Sequence, residues 1–251
     1  MRREELMLLE ELNLNAWPAL RTVHLDGWLL RFAGGETRRP NSVNMFRPST
    51  LPLTDKIDAA EVTYRRWGRP CTFRMTPLVE AKLAATLDER GYSSEGGTFV
   101  QIAPTARTAM PDGVELCECA SDEWIDAALA VRGVTGSERD VFRAQHSAIA
   151  VSAAWALVRE NGEALACGCS TAERGWSGLT GIHVRKDARR RGLARKVTEA
   201  LLSWGAAQGA RQTWLQVDQT NAAAIPLYGS LGFRTAYAYH YRVEGLPETT
   251  H

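Results

Sequence analysis

An apolar run, Leu179-Thr180-Gly181-Ile182-His183-Val184, gives way to Arg185-Lys186-Asp187-Ala188-Arg189-Arg190-Arg191-Gly192-Leu193-Ala194. That junction constrains the chain more than any other stretch. A strand that breaks into an arginine-rich turn with a glycine at a helix mouth is built to hold phosphates. The amide N–H groups of a helix's first turn point outward unpaired, the macrodipole makes that end electropositive, and Gly192 lets an anion approach the backbone closely. Beyond it, Leu193, Val197, Ala200, Leu201 and Trp204 recur at helical spacing, so this helix buries one side against a sheet.

Charge narrows what such a site serves. The net charge is only +1, yet seven Lys or Arg and one acid, Asp187, fall between Arg185 and Lys196. This is a local anion site, not a surface for nucleic acid. With 45% hydrophobic and 24% charged residues, a packed core is expected. The start, Met1-Arg2-Arg3-Glu4-Glu5-Leu6, mixes charges into an amphipathic pattern without the apolar run of a signal peptide or membrane span. A cytoplasmic location and no membrane partner are expected. The five cysteines are odd in number, which suits reduced thiols. Cys117 and Cys119, like Cys167 and Cys169, have a C-x-C spacing that puts two thiols on one strand face and lacks the gap of a zinc knuckle, so no metal is expected.

The remaining chain reads as alternating strands and helices. Leu6, Leu9, Leu12 and Ala16 form a stripe on a helix from Glu4 to Trp17, before Pro18 stops it. Val23 to Phe32 and Thr37 to Phe46 are strand candidates around Gly34-Gly35. Thr54 is placed to cap a helix through Trp67, Cys71 to Met75 reads as a strand, Pro77 opens a helix that ends at Arg90-Gly91, and Thr98 to Ile102 is a strand. Pro104 to Asp112 has no periodicity and is the linker candidate. After it come a strand from Val114 to Cys119, a helix capped by Ser121 and running to Val131, and a helix from Ser137. Asn161-Gly162 joins Trp155–Arg159 to Ala164–Ser170 as a hairpin, with Trp176 to Val184 as the third strand. Thr213 to Val217, a short helix from Ile225 to Leu231 and a strand from Ala236 to Val243 complete the chain.

Length allows one large domain or two of about 125 residues, and an internal repeat favours two. Leu87-Asp88-Glu89-Arg90-Gly91-Tyr92 matches Tyr228-Gly229-Ser230-Leu231-Gly232-Phe233 in helix end, glycine and aromatic. Residues 1–104 and 112–251 are therefore expected to share one architecture. The first copy has Pro48 to Thr54 where the second has its arginine turn, and Leu87 where the second has Tyr228, so only the second half is equipped for chemistry.

Two motifs carry a resemblance. Arg189-x-x-Gly192-x-Ala194 after a strand resembles the R/Q-x-x-G-x-G/A loop of the GCN5-related N-acetyltransferases, the GNAT superfamily. Asn221, Ala224-Ile225-Pro226-Leu227-Tyr228 and Leu231-Gly232-Phe233 resemble that family's N…A…LY…LGF segment. The resemblance covers residues 112 to 245, and the whole chain resembles the tandem type with a degenerate first half. It implies an α+β fold of two GNAT-like domains, each a mostly antiparallel sheet flanked by helices. Acetyl-CoA is the implied cosubstrate: Ile182, His183 and Val184 would meet the pantetheine arm, Arg189, Arg190, Arg191, Gly192, Leu193, Ala194 and Arg195 the pyrophosphate. Asn221 would hydrogen-bond the cofactor. Tyr228 would stand beside the sulfur as general acid.

The implied reaction is direct acetyl transfer to a primary amine of a small molecule or protein, with backbone N–H groups steadying the oxyanion. A general base could be His183, Glu173 or water. Trp124, Glu138 and Arg139, within Ser121 to Ala148, are candidates for the acceptor wall, and the first half could complete that pocket, bury a sheet edge or support a homodimer. The alternative is a non-catalytic acyl-CoA sensor, which would need the loop but not Tyr228. A P-loop enzyme is a poor third reading, because G-x-x-x-x-G-K-[ST] is absent.

Overall fold

The hydrophobic periodicities resolve into two successive runs of elements. The computed structural model describes residues 1–35, 37–105, 109–134 and 138–245. The first run is α1 (Arg3–Ala16), β1 (Arg21–Leu25), β2 (Trp28–Phe32), β3 (Val43–Met45), α2 (Leu53–Arg66), β4 (Thr72–Met75), α3 (Ala81–Glu89) and β5 (Ser93–Pro104). The second is β6 (Glu115–Cys117), α4 (Asp122–Arg132), α5 (Glu138–Ser147), β7 (Ser152–Glu160), β8 (Glu163–Glu173), β9 (Trp176–Val184), a 3-10 turn Lys186–Ala188, α6 (Leu193–Ala207), β10 (Gln212–Asp218), α7 (Ala224–Ser230) and β11 (Arg234–Val243).

All the strands join one mixed sheet, in the order β1-β2-β3-β4-β11-β5-β10-β9-β8-β7-β6. The two sequence halves meet by exchanging their last strands. β11 lies antiparallel between β4 and β5, while β5 lies antiparallel between β11 and β10. Within each half one pair is parallel, β3 with β4 and β9 with β10. The repeat extends to the backbone: the Tyr92 N–H bonds the Leu87 carbonyl and the Phe233 N–H bonds the Tyr228 carbonyl, each at 3.0 Å.

Strand alternation sends successive side chains to opposite faces. Phe73 packs with Ile57, Ala60 and Tyr64 of α2, and Leu215 and Val217 pack with Val197 and Leu201 of α6. On the other face, Val100, Ile102 and Trp214 meet Leu6, Leu9 and Leu12 of α1, and Trp155 meets Trp124 and Phe142 of α4 and α5. A buried charge is set into the α1 face. Arg74 of β4 is fully enclosed, pairs with Glu10 of α1, and stacks 3.8 Å from the Tyr239 ring, while the Tyr237 hydroxyl donates to Glu10. Glu10→Ala strips a 0% exposed guanidinium of its counter-charge. Such a loss costs about 3–5 kcal/mol, and chemical denaturation should show a fall of that size.

His146 of α5 is enclosed by Trp17, Phe142 and Trp124, with ring centroids at 5.5, 4.3 and 5.0 Å. Its Nδ1 accepts from the Trp155 indole N–H at 2.9 Å. Desolvation, reinforced by the Arg132 charge, pushes its pKa down to about 3. The unfolded chain takes up this proton near pH 6.5 and the folded one resists it, so stability falls as the pH drops from 6.5 toward 3. Melting followed against pH should show that slope, on the order of a few kcal/mol in all, and His146→Gln should flatten it.

Several expectations are corrected. Val23 to Phe32 is not one strand, because Asp26 adopts φ 42° and turns the chain into the β1–β2 hairpin. Thr54 does not cap α2: Pro52 stands at the N-cap, and the Thr54 hydroxyl bonds Asp55 instead. Pro77 lies in a turn before α3, which begins at Ala81. Ser121 does cap α4, accepting the Trp124 N–H at 3.2 Å. Residues 106–108 of the expected linker and Ser137, the expected start of a helix, lie outside the described residues. No helix among the described residues is long and apolar enough to cross a membrane.

Candidate active site

β9 and β10 begin as a parallel pair and then part. Their pairing runs from Gln212 with Trp176 to Leu215 with Leu179 and stops there. On its other edge β9 carries a bulge against β8, where the register shifts between Cys167 with His183 and Cys169 with Thr180. Gly181, at φ +63°, supplies the positive dihedral that this extra residue needs. The Ile182–Val184 backbone therefore presents a free edge toward the gap, able to pair with an amide-bearing chain.

The gap leads to the mouth of α6. Gly192 is its N-cap, at φ +77°, and Arg190 before it also takes a positive φ of 62°. The first helical bond runs from the Lys196 N–H to the Gly192 carbonyl at 3.0 Å, which leaves the preceding N–H groups without helix partners. A cavity of about 590 Å³ lies over this mouth. It is bordered by Ile182, His183 and Val184, by Arg189, Arg190, Gly192, Leu193, Ala194 and Arg195, and by Asn221 and Tyr228. One expected contact is directed elsewhere by its side chain: Arg191 bonds Glu160 at 2.7 and 2.9 Å and does not border the cavity. Three arginines of the basic run, Arg185, Arg191 and Arg195, are internally paired. Arg185 holds Glu163 and Asp187, and Arg195 holds Glu199 at 3.3 Å and Ser230 at 2.6 Å. Arg189 and Arg190 form no ion pair among the described residues. Their charge is free for an anion.

Tyr228 closes the other side of the cavity from α7. It is 8% exposed, with its ring edge-on to Phe233 at 5.9 Å. Burial pushes its pKa up to about 12, so the phenol stays protonated at neutral pH. The hydroxyl bonds no other described residue. Asn221 accepts the Ala224 N–H at 3.0 Å in the turn leading into α7, which leaves the amide nitrogen for a ligand. Pro226 is tolerated because it falls in the first turn of α7, where an N–H has no helix partner.

The candidates for proton acceptor and acceptor wall separate in space. His183 borders the cavity, and its Nδ1 lies 3.3 Å from the Gly181 carbonyl. A carbonyl can only accept, so Nδ1 carries the proton and Nε2 is the free lone pair. Desolvation, then the charges of Arg132 and Arg189, lower its pKa and keep it neutral. Glu173 is held by Asn15 at 2.9 and 3.2 Å and by Arg174 at 3.3 Å. It stands opposite Trp176, and Ile182 is roughly 20 Å farther along β9. Trp124 is core, with its indole N–H on the Ala156 carbonyl at 3.1 Å, and Arg139 pairs with Asp126 at the surface. Glu138 opens α5 and does not border the cavity. Sequence reasoning missed Asp218 and Arg39, which border a smaller cavity beside Tyr228. Asp218, at the end of a strand before Asn221, could have been noticed; Arg39, about 180 residues from the motif, had no local signal.

In the first half, the stretch before α2 is tied to the β1–β2 turn. Asp26 accepts the N–H groups of Thr50 and Leu51, each at 2.8 Å, and the Thr50 hydroxyl at 2.9 Å. The Leu51 amide is the largest cause that holds its carboxyl below the usual range. An internal carboxylate thus holds the amides that precede α2. Lys56, fully buried, donates to the Asp26 carbonyl at 2.6 Å and stands 4.0 Å over the Trp28 ring.

Comparison with known proteins agrees with this geometry. Residues 4–242 match the family described as the C-terminal region of the probable histone acetyltransferase Rv0428c. The uncharacterized N-acetyltransferase YobR of Bacillus subtilis is 25% identical over 248 residues, covering 96% of this chain and 99% of that protein. The ribosomal protein bS18-alanine N-acetyltransferase of Salmonella typhimurium is 47% identical over 58 residues, 23% of this chain and 39% of its own length. A GCN5-related N-acetyltransferase from Kribbella flavida shares the fold at TM-score 0.71 and 16% identity, over 97% of this chain and 96% of its own. A tandem GNAT protein from clavulanic acid biosynthesis gives 0.58 at 14% identity, over 82% and 76%. The chain belongs to the Rv0428c C-terminal family and is an acetyltransferase of the GNAT superfamily.

Proposed function

We infer that the protein transfers an acetyl group from acetyl-CoA directly to a primary amine, in the groove between β9 and β10. The observation that carries this is the joining of three features in one cavity: a free strand edge, an open helix mouth with unpaired arginines, and a buried protonated phenol. Each fits a different part of the cosubstrate. The β9 edge suits the amides of a pantetheine arm, and the α6 mouth with Arg189 and Arg190 suits a pyrophosphate. When bound, acetyl-CoA supplies an activated acyl thioester.

The chain's own residues handle the protons. Neutral His183 and Asp218 border the acceptor side and can take the proton of an ammonium. Backbone N–H groups of the parted β9 edge can meet the developing oxyanion. Tyr228 holds its proton where a thiolate departs. A phenol raised to about 12 by burial keeps its proton until negative charge develops beside it. The second half, residues 112–251, carries this chemistry, and the first half is a GNAT-like unit in which Asp26 holds the amides that precede α2.

Release of free coenzyme A thiol, followed with an amine panel and matched to N-acetyl product by mass spectrometry, tests the reading. Amine-dependent release equal to product formation is expected. Saturable acetyl-CoA binding without release on any amine would instead mark a sensor.

A further inference from the structure

A second cavity of about 200 Å³ opens where β9 and β10 part. It shares His183, Asn221 and Tyr228 with the cofactor groove, so its contents would lie beside the Tyr228 phenol, where an acceptor must be. Arg39 and Asp218 bring opposite charges to its wall. No ion pair joins them.

Arg39 reaches this cavity from the first half, on the connection between β2 and β3. That connection is fastened by buried polar side chains. Arg31, 3% exposed, donates to the Arg39 carbonyl at 3.3 Å and to the Trp17 carbonyl at 2.7 Å. Asn41, 4% exposed, accepts the Ala33 N–H at 2.9 Å and donates to the Gly34 and Thr37 carbonyls, each at 2.8 Å. A side chain on a loop held this way is presented with little ordering left to do on binding.

The Arg39 guanidinium has no anion of its own. Among the described residues it forms no ion pair, its solvent-shielded Nε has no hydrogen-bond partner, and it rests 5.7 Å over the Trp17 ring. Thr180, 5% exposed, borders the same cavity with a hydroxyl that also lacks a partner. Gln216, by contrast, is held at both ends: it accepts from Tyr239 and donates to Asn13, each at 2.7 Å. A half-buried cation without a counter-charge has lost part of its hydration, which an anionic ligand can replace.

We propose that Arg39 receives a carboxylate of the acceptor, so that the amine acetylated here belongs to an amino-acid-like molecule. The planar guanidinium matches a carboxylate bidentately. Asp218 faces the other end of such a zwitterion. Its Oδ1 is held by the Thr220 N–H at 2.8 Å and hydroxyl at 2.6 Å, and its second oxygen is left for an ammonium. A simple alkyl amine would leave Arg39 unpaired, which discriminates against it. This inference rests on the acyl-transfer reading above and gives the first half a share in specificity.

The test uses the intact chain and matched amines, free amino acids and ω-amino acids against their amides, with short peptides as a further arm. Thiol release at low amine concentration gives kcat/KM. Wild type should favour each acid over its amide by about 10-fold or more, mostly through KM. Arg39→Gln should bring that ratio close to one, and Arg39→Lys, which keeps the charge without the fork, should hold an intermediate ratio. Titration with acetyl-CoA should give the same affinity in all three proteins. Equal use of acids and amides by wild type, a ratio untouched by Arg39→Gln in a folded variant, or failure of every acid to bind the coenzyme A complex would overturn the inference. Those results leave the acyl-transfer reading standing as long as acetyl-CoA itself still binds; loss of that binding in wild type would remove the reading instead.

Discussion

Gly192→Glu should abolish measurable acetyl-CoA binding while leaving the chain folded. A Cβ at this position meets nothing within 4 Å, so the fold has room for the side chain. The backbone at φ +77° then costs a non-glycine residue roughly 1–2 kcal/mol. The larger effect is charge: a carboxylate held about 4 Å from a phosphate repels it by about 4 kcal/mol at an intermediate dielectric. Affinity should fall by roughly 100-fold or more. Gly192→Ala separates the two effects, since it carries only the backbone cost: stability should fall by roughly 1–2 kcal/mol while acetyl-CoA affinity stays within about threefold. Unchanged affinity in a folded Gly192→Glu protein, measured by calorimetry, would remove the α6 mouth from the binding site.

Tyr228→Phe should reduce kcat by about 100-fold or more, the usual scale for a lost general acid, with acetyl-CoA affinity within about twofold. The ring of phenylalanine keeps the edge-on contact with Phe233. Removing a hydroxyl that bonds no other described residue leaves no new orphan, so stability should change little. With its pKa raised to about 12 by burial, the wild-type phenol stays protonated well past neutral pH, and its ionisation should not limit the rate below about pH 10. An unchanged rate for Tyr228→Phe at every pH would remove the acid role.

The arginine turn was legible because its information is local. Gly192, the apolar stripe from Leu193 to Trp204 and the strand before them are neighbours in sequence, and α6 begins where the glycine marks it. The Tyr228–Phe233 segment was legible for the same reason. Strand β9 was also placed correctly, from Trp176 to Val184, although its parting from β10 depends on a bulge at Gly181 that periodicity does not show.

Other features needed the third dimension. The Asp26-Gly27 turn is masked in the sequence because apolar residues continue on both sides of it, and a hairpin buries Leu25 and Trp28 as readily as one strand would. Exchange of β5 and β11 between the halves has no local signature at all, because both are ordinary alternating strands. The exchange nevertheless shapes the site: β5, from the first half, supports β10, and the β2–β3 connection carries Arg39 to the Tyr228 cavity. Asp26 likewise acts on Thr50 and Leu51 across a loop, a contact with no local signature in the sequence.

Calorimetric titration of the intact chain with acetyl-CoA bears most directly on a single cofactor groove between β9 and β10. One equivalent bound per chain, and lost in Gly192→Glu, is the expected result. No binding, or a second equivalent that survives Gly192→Glu, would contradict it.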